Sequence, residues 1–254
     1  MNKSYQPHIE IIEEDYKIPQ LNRNRRISAL LPYDYYDSDK KYPVLYLHDG
    51  QNLFDDHSPF GNWAIDRSLG RLAKNRKGQV VIIAVDHGGE DRINEYLPYN
   101  SSKYGKGQGK KYIQFLQKTL KPYVEEKYRV LSDASNTGIG GSSMGGLISL
   151  YAGLNAPKVF SKMMVFSPSL WLTPKIYQLA RKFSPTDDTA LYLYAGGQES
   201  QVHLPNVMRF GADLLAHKES GFRFKFSHNP DGVHHETNWR EEFPQALRWL
   251  YFGQ

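Results

Sequence analysis

The chain has 254 residues, 40% hydrophobic, 23% charged and 13% aromatic, a composition typical of globular proteins and unlike disordered, collagenous or coiled-coil chains. At this length a single domain over residues 1–254 buries about 70% or more of the surface its unfolded form exposes, so it needs no disulfide or metal staple. The absence of cysteine excludes disulfides, thiolate metal sites, iron–sulfur clusters and a cysteine nucleophile.

Basic residues outnumber acidic ones 32 to 27, but they occur in small groups such as Arg23, Arg25 and Arg26 or Lys106, Lys110 and Lys111. That dispersion predicts a solvated surface and no nucleic-acid partner. The first residues, MNKSYQPHIEIIEEDY, are acidic where a secretory signal has an apolar core, so the expected location is cytoplasmic. The longest uncharged stretch, residues 134–157, holds Asn136, Thr137, serines and glycines and is too polar to span a bilayer, so no membrane partner is expected.

In chain order, apolar runs at residues 9–14 and 26–31 with no helix between them predict an antiparallel pair at a sheet edge. Strands follow at 42–47 and 79–85, with Ile65, Leu69, Leu72 and Ala73 at helical spacing between them. Tyr112, Phe115, Leu116, Leu120 and Tyr123 mark another helix, and a strand ends near Gly140 before the apolar helical face Leu147, Ile148, Leu150, Tyr151 and Leu154. Strands at 162–166, 190–194 and 222–226 precede a last amphipathic helix on Trp239, Phe243, Ala246, Leu247 and Leu250. Short continuous strands alternating with helices predict an α/β fold with a mostly parallel sheet covered on both faces.

The segment NTGIGGSSMGGLISLYAGL contains GxSxG in Gly141, Ser142, Ser143, Met144 and Gly145. A serine on a sharp strand-to-helix turn needs small neighbours two positions away on each side, and the two glycines meet that need. In an α/β-hydrolase an acid and a histidine follow the serine in that order. Glu199 stands in the glycine turn after the strand TALYLYAGG, and His234 and His235 stand just before the last helix. His234 is favoured as the base because Gly232 and Val233 give a flexible approach and Glu236 opens the helix. Asp231 rivals Glu199 as the acid, although the turn NPDG accounts for it structurally.

His203 and His217 fall in or before a helix, His228 ends its strand too early, and Asp187 and Asp188 precede theirs. The oxyanion donors expected by position are the N–H of Met144 and, after the strand ending at His48, the N–H of Gln51. His48, Asp49, Asp55, Asp56 and His57 have no fixed metal spacing, so no metal is expected. Trp171 and Trp63 stand near strand ends as substrate-contact candidates, and the loop SSKYGKGQGK is expected to rim the site.

Together LHDGQNLF, NWAID, RINEYLPY, LKPYVEEKYR, NTGIGGSSMGGLISLY, SPSLW, GGQE and HHETNW resemble the putative-esterase family of α/β-hydrolases. This is the esterase-D-like group that includes feruloyl and acetyl-xylan esterases, enterobactin-type siderophore esterases and mycolyltransferases. The resemblance implies a serine hydrolase of small-molecule carboxylic esters without metal or organic cofactor. It places the nucleophile on Ser143, the base on His234, the acid on Glu199 and the oxyanion donors on Met144 and Gln51. Acyl transfer to an alcohol, and a catalytically silent fold binding a carbohydrate or siderophore-like ligand, are the alternatives.

Overall fold

The computed structural model describes residues 4–56, 58, 61–186, 188–216 and 221–253. Its strands are β1 (His8–Ile18), β2 (Arg23–Leu31), β3 (Val44–His48), β4 (Val81–Val85), β5 (Thr137–Ser142), β6 (Lys162–Phe166), β7 (Ala190–Gly196) and β8 (Arg223–Asn229). They form one sheet in the order β1-β2-β4-β3-β5-β6-β7-β8. β1 and β2 pair antiparallel as expected from the sequence, β2 is also antiparallel to β4, and every pairing from β4 to β8 is parallel.

Strand ends differ from expectation where backbone chemistry intervenes. The third strand opens at Val44 and not at residue 42, because Pro43 has no N–H to give the ladder; Tyr42 instead makes an isolated parallel bridge to Val130. β1 runs on to Ile18 through two register shifts, between Ile11 and Glu13 and between Glu13 and Tyr16.

The period of two along each strand sorts its side chains onto opposite faces. Tyr46, Ile83, Ile139, Val165 and Leu193 belong to one core, and Leu45, Ile82, Met164, Phe166 and Tyr192 to the other. The first core is covered by α3 (Gly109–Phe115), α4 (Lys121–Lys127), α5 (Met144–Asn155), α6 (Lys175–Lys182) and α7 (His203–Leu215). The second is covered by α1 (Ile65–Lys74) and α8 (Glu236–Tyr251). A π turn over Leu116–Leu120 joins α3 to α4 just ahead of Pro122, whose ring and missing N–H do not fit a regular helix interior. Among the described residues no helix is long and apolar enough to cross a membrane.

The antiparallel edge also anchors the short helix α2 (Arg92–Tyr96). Glu95 on that helix is fully buried and pairs with Arg25 and, at 2.6 Å, with Arg23, both on β2. Removing one partner from a buried charge cluster leaves the rest uncompensated, at a cost of about 3–5 kcal/mol. Glu95→Ala is therefore expected to lower the chemical-denaturation free energy by that amount; a loss under about 1 kcal/mol would mean the arginines are solvated without it.

Candidate active site

Three strands end at the same side of the sheet in residues with positive φ: Asp49 (59°) after β3, Ser143 (55°) after β5 and Ser167 (46°) after β6. Such backbone is costly for non-glycine residues and persists where the surroundings over-determine it. Ser143 is held at φ 55°, ψ −118° by three backbone bonds. Its N–H donates to the Phe166 carbonyl at 3.0 Å, and its carbonyl accepts from Leu147 at 3.1 Å and Ser169 at 3.0 Å.

The flanking glycines are required by close approach. A Cβ on Gly141 would stand 3.0 Å from the carbonyl carbon of Gly145, and one on Gly145 would stand 3.0 Å from Asp49 Oδ2. The turn so formed projects Ser143 into a cavity of about 880 Å³, whose wall also includes Asn52, His87, Arg92, His234, Glu236 and Trp239.

Glu199, in the turn after β7, has a side chain only 2% exposed, and its two oxygens divide their work. Oε1 accepts from the Gly196 N–H at 2.6 Å and the Ser167 hydroxyl at 2.5 Å, while Oε2 lies 2.6 Å from His234 Nδ1. Burial pushes this carboxyl up, but the bonds from His234, Ser167 and Gly196 and the nearby His203 outweigh it, so its pKa lies below the ordinary value. A carboxylate only accepts, so the proton of the His234–Glu199 bond sits on Nδ1 and leaves Nε2 of a neutral ring with its lone pair.

The indole N–H of Trp239 donates to Ser167 Oγ at 3.0 Å, and the Trp239 ring meets the His234 ring edge-on at 5.0 Å between centroids. His203, set aside in the sequence for lack of strand-end geometry, opens α7 with Nε2 3.1 Å from Glu199 Oε2. It is in ion-pair range but is not aligned as a hydrogen bond to that oxygen. Ser167, Ser169 and His203 were not among the expected site residues. SPSLW carried the two serines, but only the pairing of β6 with β5 and β7 brings them to Ser143 and Glu199. Ser143 Oγ bonds Ser169 Oγ at 3.2 Å. His234 lines the same cavity with no hydrogen bond to Ser143 among the described residues, as is common before a ligand tightens the geometry.

His235 is committed to structure: its Nδ1 accepts from the Thr237 N–H at 3.2 Å and caps α8. Asp231 sits exposed in its turn, its N–H bonded to Asn229 Oδ1 at 3.1 Å. Met144 opens α5, where an N–H has no intrahelical acceptor. Gln51 stands in the short turn Gly50–Asn52, and its side-chain amide clamps the backbone of His87, accepting from N–H at 2.9 Å and donating to the carbonyl at 3.4 Å. Neither Met144 nor Gln51 forms part of the cavity wall, whereas their neighbours Ser143 and Asn52 do.

The structure brings neither candidate tryptophan into the cavity wall. Trp63 is buried, stacked on Phe166 at 5.2 Å and packed against Trp239 and Phe243, because its indole fills the core beneath the cavity and is not in the wall. Trp171 is 58% exposed and lines a separate pocket of about 320 Å³ with Tyr177 and Arg209. The lysine-rich loop closes on itself through a Ser101–Gly105 bridge and sets Tyr104 against Trp171; none of its residues lines the cavity.

Asp49 takes Arg92 in a two-point grip at 2.7 and 2.8 Å. Burial pushes its carboxyl up, but Arg92 prevails and holds it below the ordinary range. His57, His217 and Asp187 lie outside the described residues.

His48, buried under the elbow with Nδ1 2.9 Å from the Tyr112 hydroxyl, has its pKa lowered to about 4 by burial. Between that value and the unfolded value near 6.5 only the unfolded chain takes the proton. The neutral ring's contribution is therefore complete above about pH 6.5 and is lost as pH falls toward 4, about 3 kcal/mol in all. Denaturation free energies measured from pH 7 to 4 should fall more steeply in the wild type than in His48→Gln. Equal slopes would show that His48 is not held neutral.

The fold is that of an α/β-hydrolase, with Ser143 at the sharp turn between β5 and α5. Residues 18–250 match the model of the family described as "Putative esterase", and the chain belongs to that family and is a carboxylic ester hydrolase. The Bacillus subtilis (strain 168) protein YbbA, described as uncharacterized, is 26% identical over 90% of this chain and 93% of its own length. The iron(III) enterobactin esterase of Dickeya dadantii is 29% identical over 94% of this chain, which spans only 54% of that protein. Among solved structures, an IroE-like serine hydrolase from Shewanella oneidensis superposes with a TM-score of 0.77 at 20% identity, over 97% of this chain and 80% of the other.

Proposed function

We propose that the chain hydrolyses small-molecule carboxylic esters through Ser143, His234 and Glu199 by way of an acyl-enzyme. The observation that carries this reading is the 2.6 Å contact between Glu199 Oε2 and His234 Nδ1 at the cavity that Ser143 enters. His234 Nε2 takes the hydroxyl proton as Ser143 Oγ attacks the ester carbonyl, and Glu199 stabilises the imidazolium that results. The N–H groups of Met144 and Gln51 receive the oxyanion, two donors fixed by the start of α5 and by the turn after β3.

Collapse expels the alcohol, which takes its proton from His234, and leaves Ser143 acylated. Water activated by His234 then attacks the acyl carbonyl, releasing the acid and restoring the serine. The ester hydrolysed by the Dickeya dadantii relative supports a small-molecule substrate for this chain as well.

The test is p-nitrophenyl acetate and butyrate turnover by the wild type, His234→Ala and His235→Ala. His234→Ala should lose activity by several orders of magnitude, while His235→Ala should keep most of it and lose about 1 kcal/mol of stability with its helix cap. Collapse of His235→Ala alone would move the base to the neighbouring residue. Ester in place of free acid when alcohols are added would make the chain a transferase.

A further inference from the structure

Three carboxylates in the cavity wall have no part in the mechanism: Asp49, which pairs with Arg92, and Glu90 and Glu236. Glu236, the first residue of α8, lines the cavity although it is only 8% exposed. Its carboxylate takes no hydrogen bond from any other described residue and meets only its own N–H. It lies within electrostatic reach of His234, His235 and Asp49 on one side and Arg92 on the other. Burial pushes its carboxyl up.

Glu90 lines the same wall, exposed and without an ion pair among the described residues. The one Lys or Arg among the described residues of the wall, Arg92, is already matched by Asp49. Among the described residues the wall thus carries two carboxylates without an ion pair, in a chain whose net charge is +5.

We propose that the cavity selects esters bearing a positive charge away from the reacting carbonyl, with an ammonium group seated against Glu236 and drawn in by the field of Glu90. Glu236 is then a specificity-determining residue, an assignment that rests on the hydrolase reading above. An ammonium cation would offset the charge of this carboxylate, and that attraction is stronger in a partly dehydrated wall than in water. An acidic residue in the first turn of a helix is also favoured by the helix dipole. The dipole accounts for the charge of Glu236 but not for its place in the cavity wall.

The test compares kcat/KM for acetylcholine with that for its uncharged isostere 3,3-dimethylbutyl acetate, in the wild type and in Glu236→Gln. The wild-type ratio should exceed the variant's by about tenfold or more. Choline should also raise the wild-type Tm more than 3,3-dimethylbutanol does at the same concentration, with the difference lost in Glu236→Gln. Equal ratios and equal Tm shifts in the two proteins would overturn the proposal and leave Glu236 a helix-end residue. Turnover of p-nitrophenyl acetate reports on hydrolysis separately. If the wild type lacks it while choline still stabilises the wild type and not the variant, the hydrolase reading fails and the cation site stands.

Discussion

Ser143→Ala is expected to lower kcat for p-nitrophenyl acetate by about 10⁴ to 10⁶, the range over which loss of a triad serine leaves only the contributions of the oxyanion hole and binding. The loss should appear without unfolding. The turn is held by backbone bonds to Phe166, Leu147 and Ser169, which alanine keeps, and among the described residues the hydroxyl has one partner, Ser169 Oγ. The variant's Tm should stay within a few degrees of the wild type's, since one part-buried hydrogen bond is worth about 1 kcal/mol. A variant that keeps its fold and retains a tenth of the activity would remove Ser143 from the chemistry.

Glu199→Gln should cost about 10⁴ in kcat although it changes only one atom and one charge. The reason lies in the four groups around the carboxylate. Oε1 faces two donors, the Gly196 N–H, which cannot reverse, and the Ser167 hydroxyl, whose oxygen already accepts from the Trp239 indole. The amide oxygen of a glutamine must therefore take that side, and its NH₂ must point at His234 Nδ1. An NH₂ donor there stabilises the tautomer with the proton on Nε2, which cannot accept from Ser143. The depressed pKa of Glu199 gives the sign of the stability effect: the carboxylate's contribution is present above the unfolded value and is lost as pH falls through the folded one. Glu199→Gln should accordingly flatten that part of the acid-stability curve. Activity within tenfold of wild type would mean that another group orients His234.

The sheet was largely legible in the sequence because buried parallel strands are short continuous apolar runs and their connecting helices carry an unbroken stripe. Residues 162–166 needed no correction, for β6 is buried throughout. β1 was read too short because its exposed antiparallel residues, HIEIIEEDYKI, are polar on one face and interrupted by register shifts. The serine turn was legible because close backbone approach leaves glycine as the tolerated residue, which writes Gly141 and Gly145 into the chain.

The groups that brace Glu199 left no such mark. Ser167 and His203 come from different strand–helix units, and a serine or a helix-start histidine looks the same in sequence whether it holds a carboxylate or faces water. The positive φ of Asp49 and Ser167 is equally silent, since neither is a glycine. Trp63 misled because a tryptophan beside a site loop packs into the core as readily as it contacts a ligand, and here the indole stacks on Phe166 beneath the cavity.

The central claim, that Ser143 is the residue acylated during turnover, is tested most directly by treating the protein with a fluorophosphonate and mapping the modified peptide by mass spectrometry. One adduct per chain is expected on Ser143, formed in step with the loss of p-nitrophenyl acetate hydrolysis and absent from Ser143→Ala. An adduct on another residue, or hydrolysis that continues after Ser143 is fully modified, would contradict it.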